Sequence, residues 1–79
     1  MYTYPIDYDL YSMDEIVDIV DFLQAIELAN ESTIDSALLL KKYEKYRKII
    51  KSISMEKQID KQFQKVSGYS IYQTIKKIK

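Results

Sequence analysis

Residues 12–30 read SMDEIVDIVDFLQAIELAN, and this stretch decides the fold. It opens with a capping box, because the Ser12 hydroxyl can accept from the backbone of Glu15 while the Glu15 carboxylate reaches back to Ser12. Apolar residues then recur at steps of three and four, which is the spacing of one face of an α-helix. The expected core side consists of Ile16, Val17, Ile19, Val20, Leu23 and Ile26. The pattern predicts a first helix over residues 13–30.

The same periodicity predicts three further helices, over residues 34–51, 55–66 and 71–78. Thr33 is the expected N-cap of the second helix. Gly68 is expected to end the third helix in a left-handed conformation that closes a Schellman motif. Ser70 opens the fourth helix with another capping box. The expected core or core-edge positions are Leu38, Leu39, Tyr43, Tyr46, Ile50, Met55, Ile59, Phe63, Val66, Tyr69, Ile71, Tyr72, Ile75 and Ile78.

The whole chain of 79 residues is predicted to form a single helical domain. No stretch alternates with period two for long enough to indicate a strand. Residues 1–11 lack helical periodicity and carry four tyrosines and the only proline, so we expect them to form an arm. The predicted fold class is therefore all-α: a compact array of about four helices with an N-terminal Tyr-rich arm.

The residue types present argue against catalysis. The chain has no His, no Cys and one Gly, so it offers no imidazole or thiol as nucleophile, proton shuttle or zinc ligand. Asp7 and Asp9 stand near each other, but their segment lacks the ligand number of a calcium loop. We expect no enzymatic activity, no cofactor and no metal site.

The longest apolar runs indicate that the chain does not enter a membrane. They are four residues or fewer, far below the ~20 residues of a membrane span. The opening residues lack the basic flank and apolar stretch of a signal peptide. A cytoplasmic location is expected.

The charges divide the chain into two opposite halves. Residues 1–40 hold nine acidic residues and no basic one, whereas residues 41–79 hold twelve basic and three acidic residues. If the first two helices pair antiparallel, acids at the start of one lie beside bases at the end of the other. The acids are Asp14, Glu15, Asp18 and Asp21, and the bases are Lys45, Arg47, Lys48 and Lys51. Charge compensation within the molecule then explains much of the division.

A binding role is the alternative explanation of the basic half. The third and fourth helices and the turn between them have the outline of a helix-turn-helix, which would make the chain a nucleic-acid-binding protein. The side chains presented would be Gln73, Thr74, Lys76 and Lys77. Eleven of the twelve bases are Lys, however, whereas base recognition favours the fork of Arg.

The sequence therefore favours a non-catalytic protein-protein interaction or regulatory module, with another protein as its partner. The candidate partner-binding residues are Tyr2, Tyr4 and Tyr8 of the arm and Lys76 and Lys77 of the last helix. Self-association into a homo-oligomer is a further possibility, because opposite charged halves can meet head to tail.

Five short motifs, spread over nearly the whole chain, carry a likeness to known proteins. They are Tyr4-Pro5-Ile6-Asp7, Asp14-Glu15-Ile16, Tyr46-Arg47-Lys48-Ile49-Ile50, Glu56-Lys57-Gln58-Ile59 and, above all, Ser67-Gly68-Tyr69-Ser70-Ile71-Tyr72. With these motifs the chain resembles the YktA-like family of small uncharacterised Gram-positive bacterial proteins. The resemblance implies an all-helical cytoplasmic fold, and it assigns no activity and no site residues.

Overall fold

The computed structural model describes residues 8–78, and these residues form four α-helices. The helices are α1 (Met13–Glu31), α2 (Ser36–Ile49), α3 (Ile53–Ser67) and α4 (Ile71–Ile78). No β-strand occurs within that range. The prediction of an all-α array of four helices is confirmed, while most of the predicted arm lies outside the described residues.

The start of α1 follows the sequence closely. The Ser12 N–H donates to Glu15 Oε1 at 2.9 Å, and the Glu15 N–H donates to Ser12 Oγ at 3.2 Å. This reciprocal pair satisfies two of the backbone donors that a helix leaves free at its N-terminus. The predicted capping box is confirmed.

The observed limits of α2 and α3 differ from the approximate predicted limits by one or two residues. The N-cap of α2 is Asp35 rather than Thr33, because its carboxylate accepts the Ala37 N–H at 2.8 Å. As a result α2 begins at Ser36 instead of residue 34, and it ends at Ile49 instead of residue 51. Helix α3 begins at Ile53 rather than residue 55, after an extended Ser52 whose side chain makes no capping bond. Several neighbouring hydroxyl and carboxyl groups could cap each start, and sequence alone did not choose between them.

The turn between α3 and α4 is built around Gly68. Its φ of 83° is the left-handed conformation that only glycine adopts freely, as predicted. The bonding is that of the simpler αL motif rather than a Schellman motif, since the Gly68 N–H donates to the Gln64 carbonyl at 2.8 Å. The Tyr69 N–H donates instead to Ser67 Oγ at 3.1 Å. The correction arises because the serine hydroxyl captures this second donor.

Helix α4 is held at its N-terminus by α3 and along its side by α1. The Asp60 carboxylate on α3 accepts the Ile71 N–H at 2.8 Å, and Ser70 Oγ accepts the Gln73 N–H at 3.3 Å. On the other side Asn30 Nδ2 donates to the buried Thr74 Oγ1 at 2.9 Å. An eight-residue helix is too short to be stable alone, so these contacts fix it in place.

The core lies between α1 and the other helices and centres on Phe22. The Phe22 ring is 4.6 Å from the ring of Tyr46 and 5.6 Å from that of Tyr43, measured between centroids. The buried hydrophobic residues are Ile19, Phe22, Leu23, Ala25, Ile26, Leu39, Tyr46, Ile50, Ile59, Phe63, Ile71 and Ile75. Phe22 and Ala25 were absent from the sequence-based core, and they occupy the middle of its α1 side.

Four residues that the sequence placed in the core are exposed. They are Val17, Leu38, Val66 and Tyr72. Val17 on α1 is 59% exposed, because the opposite side of α1, which carries the buried Phe22 and Ile26, faces the neighbouring helices. The other three lie beyond the edges of the apolar faces of α2, α3 and α4. The apolar faces are therefore narrower than predicted on these helices and rotated on α1.

Candidate partner-binding surfaces

The outer face of α1 is defined by Met13, Val17, Val20, Gln24 and Leu28. At ~100° per residue, these positions fall in one row on the side of the helix opposite Phe22 and Ile26. Met13 is 78% exposed and Val17 is 59% exposed, and Leu28 is also exposed. The longest helix thus carries apolar side chains on its outer as well as its inner side. This pattern is typical of helices that are covered on both sides.

Two shallow hollows follow this outer face and meet end to end. The first has a volume of about 350 Å³ and the second about 260 Å³. The first is lined by Ile16, Val17, Asp18, Val20, Asp21 and Gln24. The second is lined by Asp21, Gln24, Ala25, Leu28, Ile34, Leu38 and Lys42. Because Asp21 and Gln24 line both, the concave surface is continuous along α1 and reaches the exposed Leu38 on α2.

Carboxylates dominate the border of this surface. Asp14 and Asp18 stand on α1 beside the apolar row, and within residues 8–78 the structure records no ion pair for either. Asp21 forms an ion pair with Lys42 of α2. The surface therefore combines exposed apolar side chains with an excess of negative charge.

The predicted pairing of charges between α1 and α2 is only partly found. The Asp21–Lys42 pair does join the two helices. Arg47, expected beside the start of α1, instead places its Nε 3.6 Å from Glu56 of α3 and its guanidinium 5.7 Å from the Tyr43 ring centre. Lys45 and Lys48 are exposed on the far part of α2. Arg47 at the end of α2 thus pairs with α3, and Asp14 and Asp18 are left without an ion pair within residues 8–78.

A second concave surface lies between α2, α3 and α4. This groove has a volume of about 200 Å³. Its lining consists of Tyr43, Tyr46, Ile53, Glu56, Lys57, Asp60, Ile71, Tyr72 and Ile75. Tyr46 is 2% exposed, and its hydroxyl has no hydrogen-bond partner within residues 8–78. Burial, together with the negative charges of Glu56 and Asp60, raises the pKa of the Tyr46 phenol.

The predicted partner-binding residues that the structure describes, Tyr8, Lys76 and Lys77, line neither of these surfaces. Tyr2 and Tyr4 are outside the described residues, and Tyr8 is exposed ahead of α1. Lys76 and Lys77 are exposed in the last turn of α4, where they complement the helix dipole. Their role in binding stays a prediction.

One of the four side chains that the helix-turn-helix prediction expected to face nucleic acid is buried. Thr74 is buried, and its hydroxyl donates to the Ser70 carbonyl at 2.7 Å while it accepts from Asn30. Thr74 therefore ties α4 to α1 instead of facing a ligand, and that part of the prediction was wrong. Gln73, Lys76 and Lys77 are exposed.

The outer face of α1 was not predicted from the sequence, for an identifiable reason. Val17 and Val20 were assigned to the same side as Ile19 and Leu23, since all of them follow steps of three or four. Counting apolar residues around the whole helix would have shown an apolar arc too wide for one core face, with aspartates along one of its edges. No comparable signal marks the Tyr46 hydroxyl, whose lack of a partner depends on the packing of three helices.

The part of the chain between residues 8 and 78 shows two further features relevant to function. None of its helices is both long and apolar enough to cross a membrane. It holds no cluster of three or more acidic side chains arranged to bind a metal ion.

The fold and surfaces define a small all-α protein with an acidic apolar face. The profile of the uncharacterised protein family UPF0223 matches residues 1–79, and the chain belongs to this family. This finding confirms the resemblance described above.

Relatives in this family are similar in sequence over nearly the whole of this chain. A UPF0223 protein of Bacillus cytotoxicus is 51% identical over 96% of this chain and 84% of its own length. One of Streptococcus equi subsp. equi is 47% identical, over 96% of this chain and 82% of the relative. One of Streptococcus mutans is 44% identical, over 99% and 84% respectively. No solved structure matches the chain.

Proposed function

We propose that this chain is a non-catalytic interaction or regulatory module of the cytoplasm that binds another protein through the outer face of α1. One observation carries the proposal: Met13, Val17 and Leu28 are exposed in a single row on the side opposite the core, with the half-buried Val20 and the polar Gln24 between Val17 and Leu28. A single exposed apolar residue is ordinary, whereas several on one face of a helix are typical of an interaction site.

The absence of catalytic residue types supports a binding role. The groove between α2, α3 and α4 is smaller than the ~300–1,000 Å³ of typical ligand pockets. Its Tyr46 phenol has a raised pKa, which makes it a poor proton donor near neutral pH. Its Asp60 carboxylate already binds the backbone of α4. Neither group is therefore well suited to acid–base catalysis near neutral pH.

Site-specific photo-crosslinking tests the proposal. A photoreactive amino acid replaces Val17 on the outer face, and in a matched control it replaces Val66, an exposed valine on α3. Each version is produced at near-native level in a Bacillus or Streptococcus host that carries a UPF0223 protein. We expect irradiation to yield a defined crosslinked protein from position 17 and not from position 66.

The comparison of the two positions decides the result. A product obtained equally from both positions would indicate collisions rather than a binding face. No product from position 17 under conditions of normal growth would contradict the proposed function.

A further inference from the structure

We propose that the outer face of α1 binds a basic amphipathic helix of its partner protein. This inference rests on the proposed function and adds the chemistry and shape of the partner.

The shape of the surface favours a helix. The row from Met13 to Leu28 runs straight along α1 for about 22 Å, at ~1.5 Å per residue. The two hollows join along this row, and the second extends to Leu38 on the neighbouring helix. A helix lying along such a groove can place apolar side chains at every third or fourth position into it.

The charge of the surface favours a basic partner. Asp14, Asp18 and Asp21 lie along one side of the row, and Asp18 and Asp21 also line the hollows. Among the described residues that line the hollows, the one base is Lys42, which pairs with Asp21. All nine charged residues in positions 1–40 are acidic. An acidic helix, a phosphate backbone or an anionic lipid surface would be repelled, whereas Lys and Arg side chains at the edges of a helix would be attracted.

Among the described residues, no basic helix of this chain has a free apolar face. Helix α4 is basic and amphipathic, but its Ile71 and Ile75 are already buried in the core. Residues 1–11 contain Asp7 and Asp9 and no base, so they would add negative charge to the face. The exposed lysines of α3 are not accompanied by an apolar row, because its exposed apolar residues Ile53 and Val66 lie near opposite ends of the helix. A helix from a different protein is therefore the occupant that fits.

Peptide titration tests the proposal with a defined probe. The probe is a labelled peptide of about four helical turns, with leucines along one face and lysines along both edges of that face. A control peptide carries glutamate in place of every lysine. Fluorescence anisotropy of each peptide is measured against the full chain at low and at physiological salt. We expect the lysine peptide to bind, more weakly at higher salt, and the glutamate peptide to bind at least about tenfold more weakly.

Two matched variants locate the binding site. Val17→Gln removes an apolar contact from the row, and Val66→Gln makes the same change on the exposed side of α3. We expect Val17→Gln to weaken binding of the lysine peptide by about tenfold, and Val66→Gln to leave it unchanged. Circular dichroism confirms that both variants remain helical.

A charge reversal tests the electrostatic part separately. Asp18→Lys should weaken binding of the lysine peptide and strengthen binding of the glutamate peptide relative to the unchanged protein. Equal binding of the two peptides, or equal effects of Val17→Gln and Val66→Gln, would overturn the inference. So would sedimentation showing that the unchanged chain forms a dimer that Val17→Gln, but not Val66→Gln, dissociates.

The inference and the proposed function can fail separately. If crosslinking at position 17 captures a protein whose contacting segment is acidic or not helical, the proposed function stands and the basic-helix inference is wrong. If the lysine peptide binds as expected but position 17 captures nothing in cells, the chemistry of the face is supported while the proposed function fails.

Discussion

The two sides of α1 carry similar residues in opposite environments. Ile19, Phe22 and Leu23 are fully buried on the inner side, whereas Met13 and Val17 are more than half exposed on the outer side. The inner residues pack against α2 and α4. The difference teaches that composition makes a helix apolar, while its neighbours decide which side becomes core and which remains available to a partner.

Truncation of the central inner residue should have the largest effect. Phe22→Ala removes the ring that contacts Tyr43 and Tyr46, and such changes cost about 3–5 kcal/mol. Since a chain of this size has a total stability of only about 3–5 kcal/mol, we expect the variant to be largely unfolded at 25 °C. Urea unfolding followed by far-UV circular dichroism measures this.

A milder change keeps that experiment quantitative. Phe22→Leu should retain the fold with a loss of about 1 kcal/mol. If Phe22→Ala costs less than about 1 kcal/mol, then the inner side of α1 is not the centre of the core, and the contrast between its two sides fails.

Loss of a carboxylate that contacts another helix should lower the free energy of unfolding more than loss of one beside the outer face. Asp60→Ala removes the acceptor for the Ile71 N–H at the start of α4, and we expect a loss of about 1–2 kcal/mol. Asp18→Ala, beside the outer face and without an ion pair within residues 8–78, is the matched control, and it should change the free energy of unfolding by no more than about 0.5 kcal/mol. Both values come from urea unfolding at neutral pH. Equal losses would show that Asp60 is not specifically a cap.

Removal of the buried Tyr46 hydroxyl should stabilise the protein. The hydroxyl has no partner within residues 8–78, and an unsatisfied buried group of this kind costs about 1–3 kcal/mol. We expect Tyr46→Phe to raise the free energy of unfolding by about 1 kcal/mol. Tyr72→Phe, on an exposed ring, should leave it unchanged. A destabilised Tyr46→Phe variant would reveal a hydrogen bond that the hydroxyl makes in solution.

The pH dependence of the same variant provides an independent check. Because the pKa of Tyr46 is raised from its ordinary value of 10.0, the folded chain keeps the phenolic proton at pH values where the unfolded chain releases it. Below about pH 10 both states keep this proton, so the free energy of unfolding does not depend on it. Above about pH 10 the unfolded chain ionises first, and the free energy of unfolding falls. The advantage of Tyr46→Phe should therefore grow when urea midpoints are compared between about pH 8 and about pH 11. An advantage that does not change over this range would contradict a raised pKa.

The smallest effect on stability is expected at the outer face. Val17→Gln should change the free energy of unfolding by no more than about 0.5 kcal/mol, because the side chain is already 59% exposed. The same substitution is expected to weaken peptide binding strongly, so stability and binding separate at this residue. A loss above about 1 kcal/mol would place Val17 in the folded core and remove the contrast between the two sides of α1.

Local signals in the sequence predicted the elements well. The Ser12 capping box and the left-handed Gly68 depend on residues close in sequence, so they could be read directly. The start of α2 could not be predicted in this way, since Thr33 and Asp35 are both good caps and only the carboxylate is used. The candidate surface could not be predicted in the same way. The exposure of Val17 depends on where α2 and α4 pack against α1, and the sequence pattern of α1 alone does not predict those positions.

The sequence by itself determined that the chain is all-helical, how its helices begin, and that its acids and bases are separated along the chain, because these properties depend on residue type and on spacing within one or two turns. Only the tertiary structure decided which side of α1 is buried and that Thr74 anchors α4 to Asn30. It also left the Tyr46 hydroxyl without a partner among the described residues. Burial and long-range hydrogen bonds are properties of contacts between helices, and each helix carries only its own half of such a contact.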